Sequence, residues 1–116
     1  MGKSTKETIK ARQVRISNYA SQRIDEILHY IAFDNQQPLN AAKVSVEIEK
    51  TISKISQNPF AYKECERLAT KTKLYRQATC LSWLIIYRIT ANEIIILSVI
   101  HGARNPSKFS KLRKIK

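Results

Sequence analysis

The chain has 116 residues, 43% of them hydrophobic, with only 2 Gly and 3 Pro. This composition indicates one folded domain with a modest core and excludes a disordered or fibrous chain. A net charge of +12 favours a protein that binds a polyanion or an acidic partner.

The positive charge is concentrated at the two ends of the chain. Residues 1–12 carry a net charge of +3, and the residues after His101 carry +6 without any acidic side chain. We expect 1–12 to be a basic N-terminal extension, 13–106 a single domain, and 107–116 a basic C-terminal tail. A tail that only keeps the protein soluble is the alternative interpretation of the last segment.

The apolar runs and the cysteines limit the cellular compartment and the kind of functional site that the sequence allows. The longest apolar runs are far too short to span a bilayer, and no apolar segment follows the basic N-terminus as in a signal peptide. We therefore expect a cytoplasmic protein without a membrane partner. Cys65 and Cys80 have no CxxC pair and no histidine at ligand spacing, so we expect free thiols and no metal site.

The first half of the chain predicts a strand followed by two helices. QVRISNYA, residues 13–20, alternates apolar and polar residues as a strand does. From about Ala20 the apolar period becomes that of an amphipathic helix, which Ser17, Asn18 or Ser21 would cap. FDNQQPLN interrupts this helix, and a second apolar stripe runs from Ala41 to Ile55 until Asn58-Pro59. The short connection predicts an antiparallel helical hairpin.

The second half predicts an antiparallel meander. Residues 59–73 read as a loop, and three runs rich in β-branched and aromatic residues follow, LYRQATC, WLIIYRIT and EIIILSVI. The last two runs are almost continuously apolar, so both faces of these strands should be covered, one of them by the helical hairpin. The expected fold class is α+β, with an antiparallel sheet in β-α-α-β-β-β order. In the tail, Phe109, Leu112 and Ile115 suit docking on the sheet edge or on a partner.

Basic and titratable residues at the strand ends are the candidate functional groups. His101 ends the last strand, Arg104 follows, and Arg76 and Arg88 lie in the two preceding strands. Together they suggest a cationic pocket that stabilises phosphate charge, with His101, Tyr75 or Tyr87 as acid or base. The alternatives are structural: His101 would close a strand, the arginines would pair with Glu64, Glu66 or Glu93 or lie on a solvated face, and the tyrosines would pack in the core or at its rim.

Other catalytic arrangements are missing from the sequence. There is no Gly-rich phosphate loop, no pair of carboxylates in the strands, and no Ser/His/Asp or Cys/His motif. We therefore expect no cofactor, no metal and no small-molecule substrate.

Four segments, IDEILHYIAFDN, ISQNPFAY, LYRQATCLSWLIIYRI and IIILSVIHGARNP, together resemble the RelE/ParE superfamily of bacterial type II toxins, especially its ParE-like branch. The resemblance runs from about Val14 to Pro106, and its most specific pieces are NPFAY, IIYRI and HGARNP. It implies a compact β-α-α-β-β-β fold, inhibition of bacterial growth, and neutralisation by a small antitoxin that is typically acidic where it binds.

Two activities are known in this superfamily. RelE-like members cleave mRNA in the ribosome with a basic constellation on the sheet, whereas ParE-like members poison DNA gyrase. Lys71, Lys73, Arg76 and Arg88 partly fill the basic positions of the nucleases, but the nearest C-terminal aromatic residue, Phe109, cannot transfer a proton. The long paired helices and HGARNP favour the ParE side.

The sequence therefore predicts a ParE-like toxin that poisons DNA gyrase by protein contact. Its helical hairpin and basic C-terminal region would contact gyrase and the antitoxin, the latter region through Arg104, Lys108, Phe109, Lys111 and Arg113. The first alternative is a ribosome-dependent mRNA endoribonuclease with His101, Arg76, Arg88 and Arg104 as catalytic residues, and the second is a non-toxic nucleic-acid-binding module. Whether the protein is an enzyme stays open at this point.

Overall fold

The computed structural model of the protein describes residues 12–102 and 107–116, with only the backbone described for Ser107 and Lys108. The elements follow in the order β1 (Gln13–Ile16), α1 (Asn18–His29), α2 (Pro38–Gln57), β2 (Tyr75–Cys80), β3 (Trp83–Ile89), β4 (Glu93–His101) and α3 (Ser107–Ser110). A π-helical turn, Tyr30–Asp34, prolongs α1, and 3-10 turns lie at Pro59–Ala61, Glu66–Leu68 and Lys111–Lys114. The predicted α+β class and element order are confirmed.

The sheet has the strand order β1-β4-β3-β2. The meander β2-β3-β4 is antiparallel as predicted, but β1 runs parallel to β4, so the sheet is mixed and not wholly antiparallel. A short turn forces two consecutive strands to run in opposite directions. No such turn joins β1 to β4, because both helices and two strands lie between them, and their relative direction was therefore not fixed by local sequence.

The helical hairpin formed by α1 and α2 covers one face of the sheet. Ile24, Ile27 and Leu28 of α1 are partly buried there, and the buried stripe of α2 is the predicted one. These side chains pack against strand residues that point to the same side of the sheet, namely Ala78, Ile85, Tyr87, Ile94, Ile96 and Val99. Burial of this apolar stripe, at roughly 25 cal/mol per Å², holds the two helices on the sheet.

The C-terminal segment covers the other face of the sheet. Phe109 is 4% exposed and Leu112 is 0% exposed, and both belong to a second apolar cluster with Leu68, Ile95 and Leu97. Of the two possibilities left open for this segment, the structure shows docking on the protein itself, on the face of the sheet and not at its edge. Both faces of the central strands β3 and β4 are thereby covered, as their apolar sequences predict.

Ser17 is the N-cap of α1. Its hydroxyl accepts a hydrogen bond from the backbone N–H of Ala20 at 3.0 Å and donates one to the carbonyl of Leu97 at 3.3 Å. We expect Ser17→Ala to lower the free energy of unfolding by about 1–2 kcal/mol, because it removes the cap of a buried helix end. Urea denaturation followed by circular dichroism measures this. Ser21→Ala, the same change at an exposed position one turn later, is the control, and equal losses in the two variants would contradict the capping role.

Within residues 12–102 and 107–116, none of the helices combines the length and the apolar character needed to cross a bilayer.

Candidate functional site

The three predicted catalytic residues that the structure describes lie at opposite ends of the sheet. Arg76 is the second residue of β2, and Arg88 pairs with Tyr75, the first residue of β2. His101 is the last residue of β4, six positions beyond Ile95, the partner of Arg88 on that strand. At about 3.3 Å per residue these six positions span roughly 20 Å. The structure does not bring His101 together with the two arginines, and Arg104 lies outside the described residues.

Arg76 and Arg88 also point to opposite faces of the sheet and have different partners. The Arg76 guanidinium donates hydrogen bonds to the carbonyl oxygens of Lys73, Phe60 and Tyr62 at 2.9, 3.1 and 2.8 Å. It therefore ties the segment before β2 to that strand. Arg88 instead places its guanidinium over the ring of Tyr75, 5.9 Å from the centroid. Neither arginine forms the ion pair with glutamate that the structural alternative proposed.

The two candidate tyrosines are packing residues. Tyr87 is 0% exposed, and its hydroxyl donates a hydrogen bond to the Pro59 carbonyl at 2.6 Å. Burial raises the pKa of the Tyr87 hydroxyl, so it stays protonated at neutral pH. Tyr75 is 7% exposed. These observations agree with the structural interpretation, and the Tyr87 hydroxyl, which is buried and bonded to the Pro59 carbonyl, has no access to a bound phosphate.

His101 lies beside a groove between the helical hairpin and the end of β4. The groove has a volume of about 610 Å³, and Arg23, Tyr30 and Trp83 also line it. The rings of His101 and Trp83 meet edge to face with centroids 6.3 Å apart. His101 is exposed, and among the described residues the groove is lined by Arg23 but by neither Arg76 nor Arg88.

The predicted partner-binding residues of the C-terminal region separate into buried and exposed positions. Phe109 lies in the core, with the Arg67 guanidinium 5.3 Å from its ring centroid, so its side chain is not on the surface offered to a partner. Lys111 and Arg113 are exposed. Arg104 and the side chain of Lys108 lie outside the part of the chain that the structure describes.

Two guanidinium groups lie close to the ring of Phe60, a residue that follows α2 and is 52% exposed. The guanidinium carbons of Arg12 and Arg76 each lie 5.3 Å from the centroid of this ring. Arg12 is held in place because its Nε donates a hydrogen bond to the Thr90 carbonyl at 2.8 Å. Such cation–π contacts are worth about 0.5–1 kcal/mol each at exposed positions.

A second pair of guanidinium groups lies over Tyr75. The Arg113 guanidinium is 5.5 Å from the ring centroid, and that of Arg88 is 5.9 Å from it. Arg88 also lines one cleft with Arg12 and Phe60, which connects the two pairs. We call the resulting set the arginine row, and its members are Arg76, Arg12, Arg88 and Arg113.

The members of the arginine row form no ion pair within the described residues. The ion pairs found there join Arg15 to Glu93, Arg23 to Glu26 and Lys50 to Glu47. The Arg15 guanidinium, hydrogen-bonded to the Glu93 carboxylate, lowers the pKa of that carboxyl, and the charge of Arg88 acts in the same direction. Among the residues that the structure describes, the arginine row therefore forms no ion pair, although the Glu93 carboxylate feels the charge of Arg88.

The charge of the molecule is divided between its two layers. Residues 18–57, which include both helices of the hairpin, contain four basic and five acidic side chains. Residues 12–17, 58–102 and 107–116 contain thirteen basic and three acidic ones. The positive potential therefore belongs to the sheet and the C-terminal segment, and an anionic ligand is steered toward that side.

Sequence reasoning missed Arg12 and Phe60 as members of this surface. Arg12 falls in the predicted N-terminal extension, and Phe60 falls in the segment predicted as a loop. The sequence offered one indication of this site, namely the aromatic residue Phe60 directly after Asn58-Pro59, where the helix ends. The cations that surround it could not be read from the sequence, because Arg12 reaches Phe60 only through the parallel pairing of β1 with β4.

The described residues contain no cluster of three or more His, Cys, Asp or Glu side chains that could hold a metal ion. Cys65 and Cys80 are buried free thiols, and burial raises the pKa of Cys65. A raised pKa leaves little of the nucleophilic thiolate at neutral pH. The cysteines therefore offer no reactive group at the surface.

Comparisons with known proteins identify relatives of the chain. A sequence model of the family described as "ParE toxin of type II toxin-antitoxin system, parDE" matches residues 14–106. One similar solved structure is "Chromosomal ParDE TA system from P. aeruginosa", with a TM-score of 0.62 and 18% sequence identity. The match covers 78% of this chain and 96% of that chain, and at this identity it establishes likeness of fold. A search of curated proteins finds no match.

Proposed function

The chain belongs to the ParE toxin family of type II toxin–antitoxin systems, and from this we propose that it inhibits bacterial growth by poisoning DNA gyrase. A cognate antitoxin with an acidic binding segment would neutralise it, and the protein would act in the cytoplasm, where gyrase works. The exposed cation Lys111 is a suitable contact for such an acidic segment.

The separation of His101 from Arg76 and Arg88 is the observation that carries this proposal. General acid–base catalysis needs the proton-transfer group within hydrogen-bond reach of the reacting atoms. Roughly 20 Å of β4, at about 3.3 Å per residue, lies between the position of Arg88 and His101. A toxin that acts by contact with a protein needs no such convergence, so the described geometry supports gyrase poisoning over RNA cleavage.

The experiment is a gyrase assay with the purified full-length protein. We expect micromolar toxin to block ATP-dependent supercoiling of relaxed plasmid and to make cleaved DNA accumulate after detergent and protease treatment. Heat-denatured toxin and a reaction without gyrase are the controls. Unimpeded supercoiling without cleaved DNA would overturn the proposal.

His101→Ala tests the ribonuclease alternative in the same preparation. We expect growth inhibition after induction to be unchanged within about threefold, whereas loss of a general acid or base lowers a rate by about 10²- to 10⁴-fold. Colony counts measure the effect, and primer extension on ribosome-bound mRNA looks for cleavage directly. Cuts within codons that disappear in His101→Ala would assign the toxin to the ribonuclease class.

A further inference from the structure

The cleft at the centre of the arginine row is lined by both apolar side chains and arginines. It has a volume of about 440 Å³, and its lining includes Phe60, Leu74, Ile89, Arg12 and Arg88. The Phe60 ring is 52% exposed. A ligand that fits such a cleft has an apolar part for the Phe60, Leu74 and Ile89 side chains and negative charge for the two arginines.

Two cations of the row, Arg12 and Arg76, are preorganised for an anion. Arg12 is fixed by the Thr90 carbonyl at 2.8 Å, and Arg76 by the Tyr62 carbonyl at 2.8 Å. A guanidinium has five N–H donors, so these contacts leave donors for a ligand. Side chains that are already ordered lose less conformational entropy when a ligand binds. These arginines form no ion pair within the part of the chain that the structure describes, so their charge is available to that ligand.

The chemistry of the cleft and row matches a nucleic acid strand with unpaired bases. Proteins bind such strands with a positively charged groove for the phosphates and with aromatic and guanidinium planes on which bases stack. Arginine stacks on flat groups and forms forked hydrogen bonds to phosphate, which lysine does not. All four cations of the row are arginines, which favours phosphates and flat bases over the side chains of an acidic protein segment.

We propose that the arginine row binds single-stranded DNA, with one base in the cleft beside Phe60 and the neighbouring phosphates on Arg12 and Arg88. Arg113 extends the cationic path beyond the cleft. The choice of DNA over RNA rests on the proposed function, because DNA is the substrate of gyrase. Binding of an unpaired strand raises the effective concentration of the toxin near a DNA-bound enzyme.

The test measures how tightly the full-length protein, without gyrase, binds a fluorescent oligothymidylate. The oligonucleotide has about twelve nucleotides, a length within the range of strand-binding sites. Fluorescence anisotropy between about 50 and 200 mM salt gives the Kd and its salt dependence. We expect the logarithm of the affinity to fall linearly with the logarithm of the salt concentration, by about 0.7 for each phosphate that is neutralised.

Two variants separate charge from stacking. Arg88→Gln is expected to weaken binding and to reduce the salt slope by about 0.7, because one phosphate contact is lost. Phe60→Leu is expected to weaken binding by about fivefold or more through lost stacking, at an unchanged salt slope. The matched control is Lys43→Gln, the same charge change at an exposed position of α2, and we expect its Kd to stay within about twofold of the wild-type Kd, as for a charge outside the site.

The proposal is overturned if Arg88→Gln and Phe60→Leu bind the strand as the wild type does. It is also overturned if an oligouridylate, a DNA duplex or a glutamate-rich peptide of equal charge binds more tightly than oligothymidylate. Because no gyrase is present, the result is independent of the supercoiling assay. Strand binding with unimpeded supercoiling would contradict the proposed function alone, and blocked supercoiling without strand binding would contradict the present proposal alone.

Discussion

Phe109→Ala is expected to lower the free energy of unfolding by about 3–5 kcal/mol, the usual cost of truncating a buried phenylalanine. The side chain is 4% exposed and packs with Leu112 and Leu97 on the second face of the sheet. Its removal leaves a cavity under the C-terminal segment, where Phe109 and Leu112 are the buried anchors. The segment should then detach, exposing Ile95 and Leu97 to water.

Urea denaturation followed by circular dichroism and by Trp83 fluorescence measures the loss. The matched control is Phe33→Ala, because Phe33 is 67% exposed on the helical hairpin, and we expect a change of about 0.5 kcal/mol or less there. The sequence also allowed Phe109 to be a partner contact. In that case Phe109→Ala would unfold at the wild-type urea concentration, and that result would contradict the packing that the structure shows.

Local patterns predicted the helices and strands because side-chain period follows directly from backbone geometry. A helix brings residues three and four apart to one face, and a strand alternates its faces. The stripe containing Val44, Ile48 and Ile55 therefore identified the buried side of α2, and all three side chains are buried. The interruptions of the helical pattern at Pro38 and Pro59 were equally predictable, since proline removes a backbone donor from a helix and restricts the conformation of the residue before it.

Contacts between distant parts of the chain were not predictable in this way. The parallel pairing of β1 with β4 and the docking of Phe109 both join segments that no short turn connects. The arginine row depends on the first of these contacts, because Arg12 directly precedes β1. The local sequence shows which charged and aromatic side chains are present, but it does not show that they come together in the folded protein.

The separation of His101 from the arginines follows from the antiparallel meander itself. Because β3 and β4 are antiparallel, the end of β4 lies beside the beginning of β3. Arg88 lies near the other end of β3, where it pairs with the first residue of β2. Residues that each stand near a strand terminus can therefore occupy opposite ends of a sheet. A pocket prediction from strand termini needs the direction of each strand as well as its boundaries.

Tyr87→Ala is expected to lower the free energy of unfolding by about 3–5 kcal/mol, because it empties a fully buried position between β3 and the helical hairpin. Tyr87→Phe keeps the ring and removes only the hydroxyl that bonds the Pro59 carbonyl at 2.6 Å. That change should cost about 1–3 kcal/mol, since it leaves a carbonyl without its donor. Urea denaturation of the two variants separates ring packing from the hydrogen bond.

The contribution of the Tyr87 hydroxyl should depend on pH in a defined direction. Burial raises the pKa of Tyr87 in the folded protein, whereas an unfolded tyrosine ionises at about pH 10. The stability that the hydroxyl contributes is therefore fully present below about pH 10 and is lost as the pH rises further. The gap in stability between the wild type and Tyr87→Phe should narrow above that pH. A gap that stays constant or widens would mean that the hydroxyl can ionise in place, and would return Tyr87 to the candidates for proton transfer.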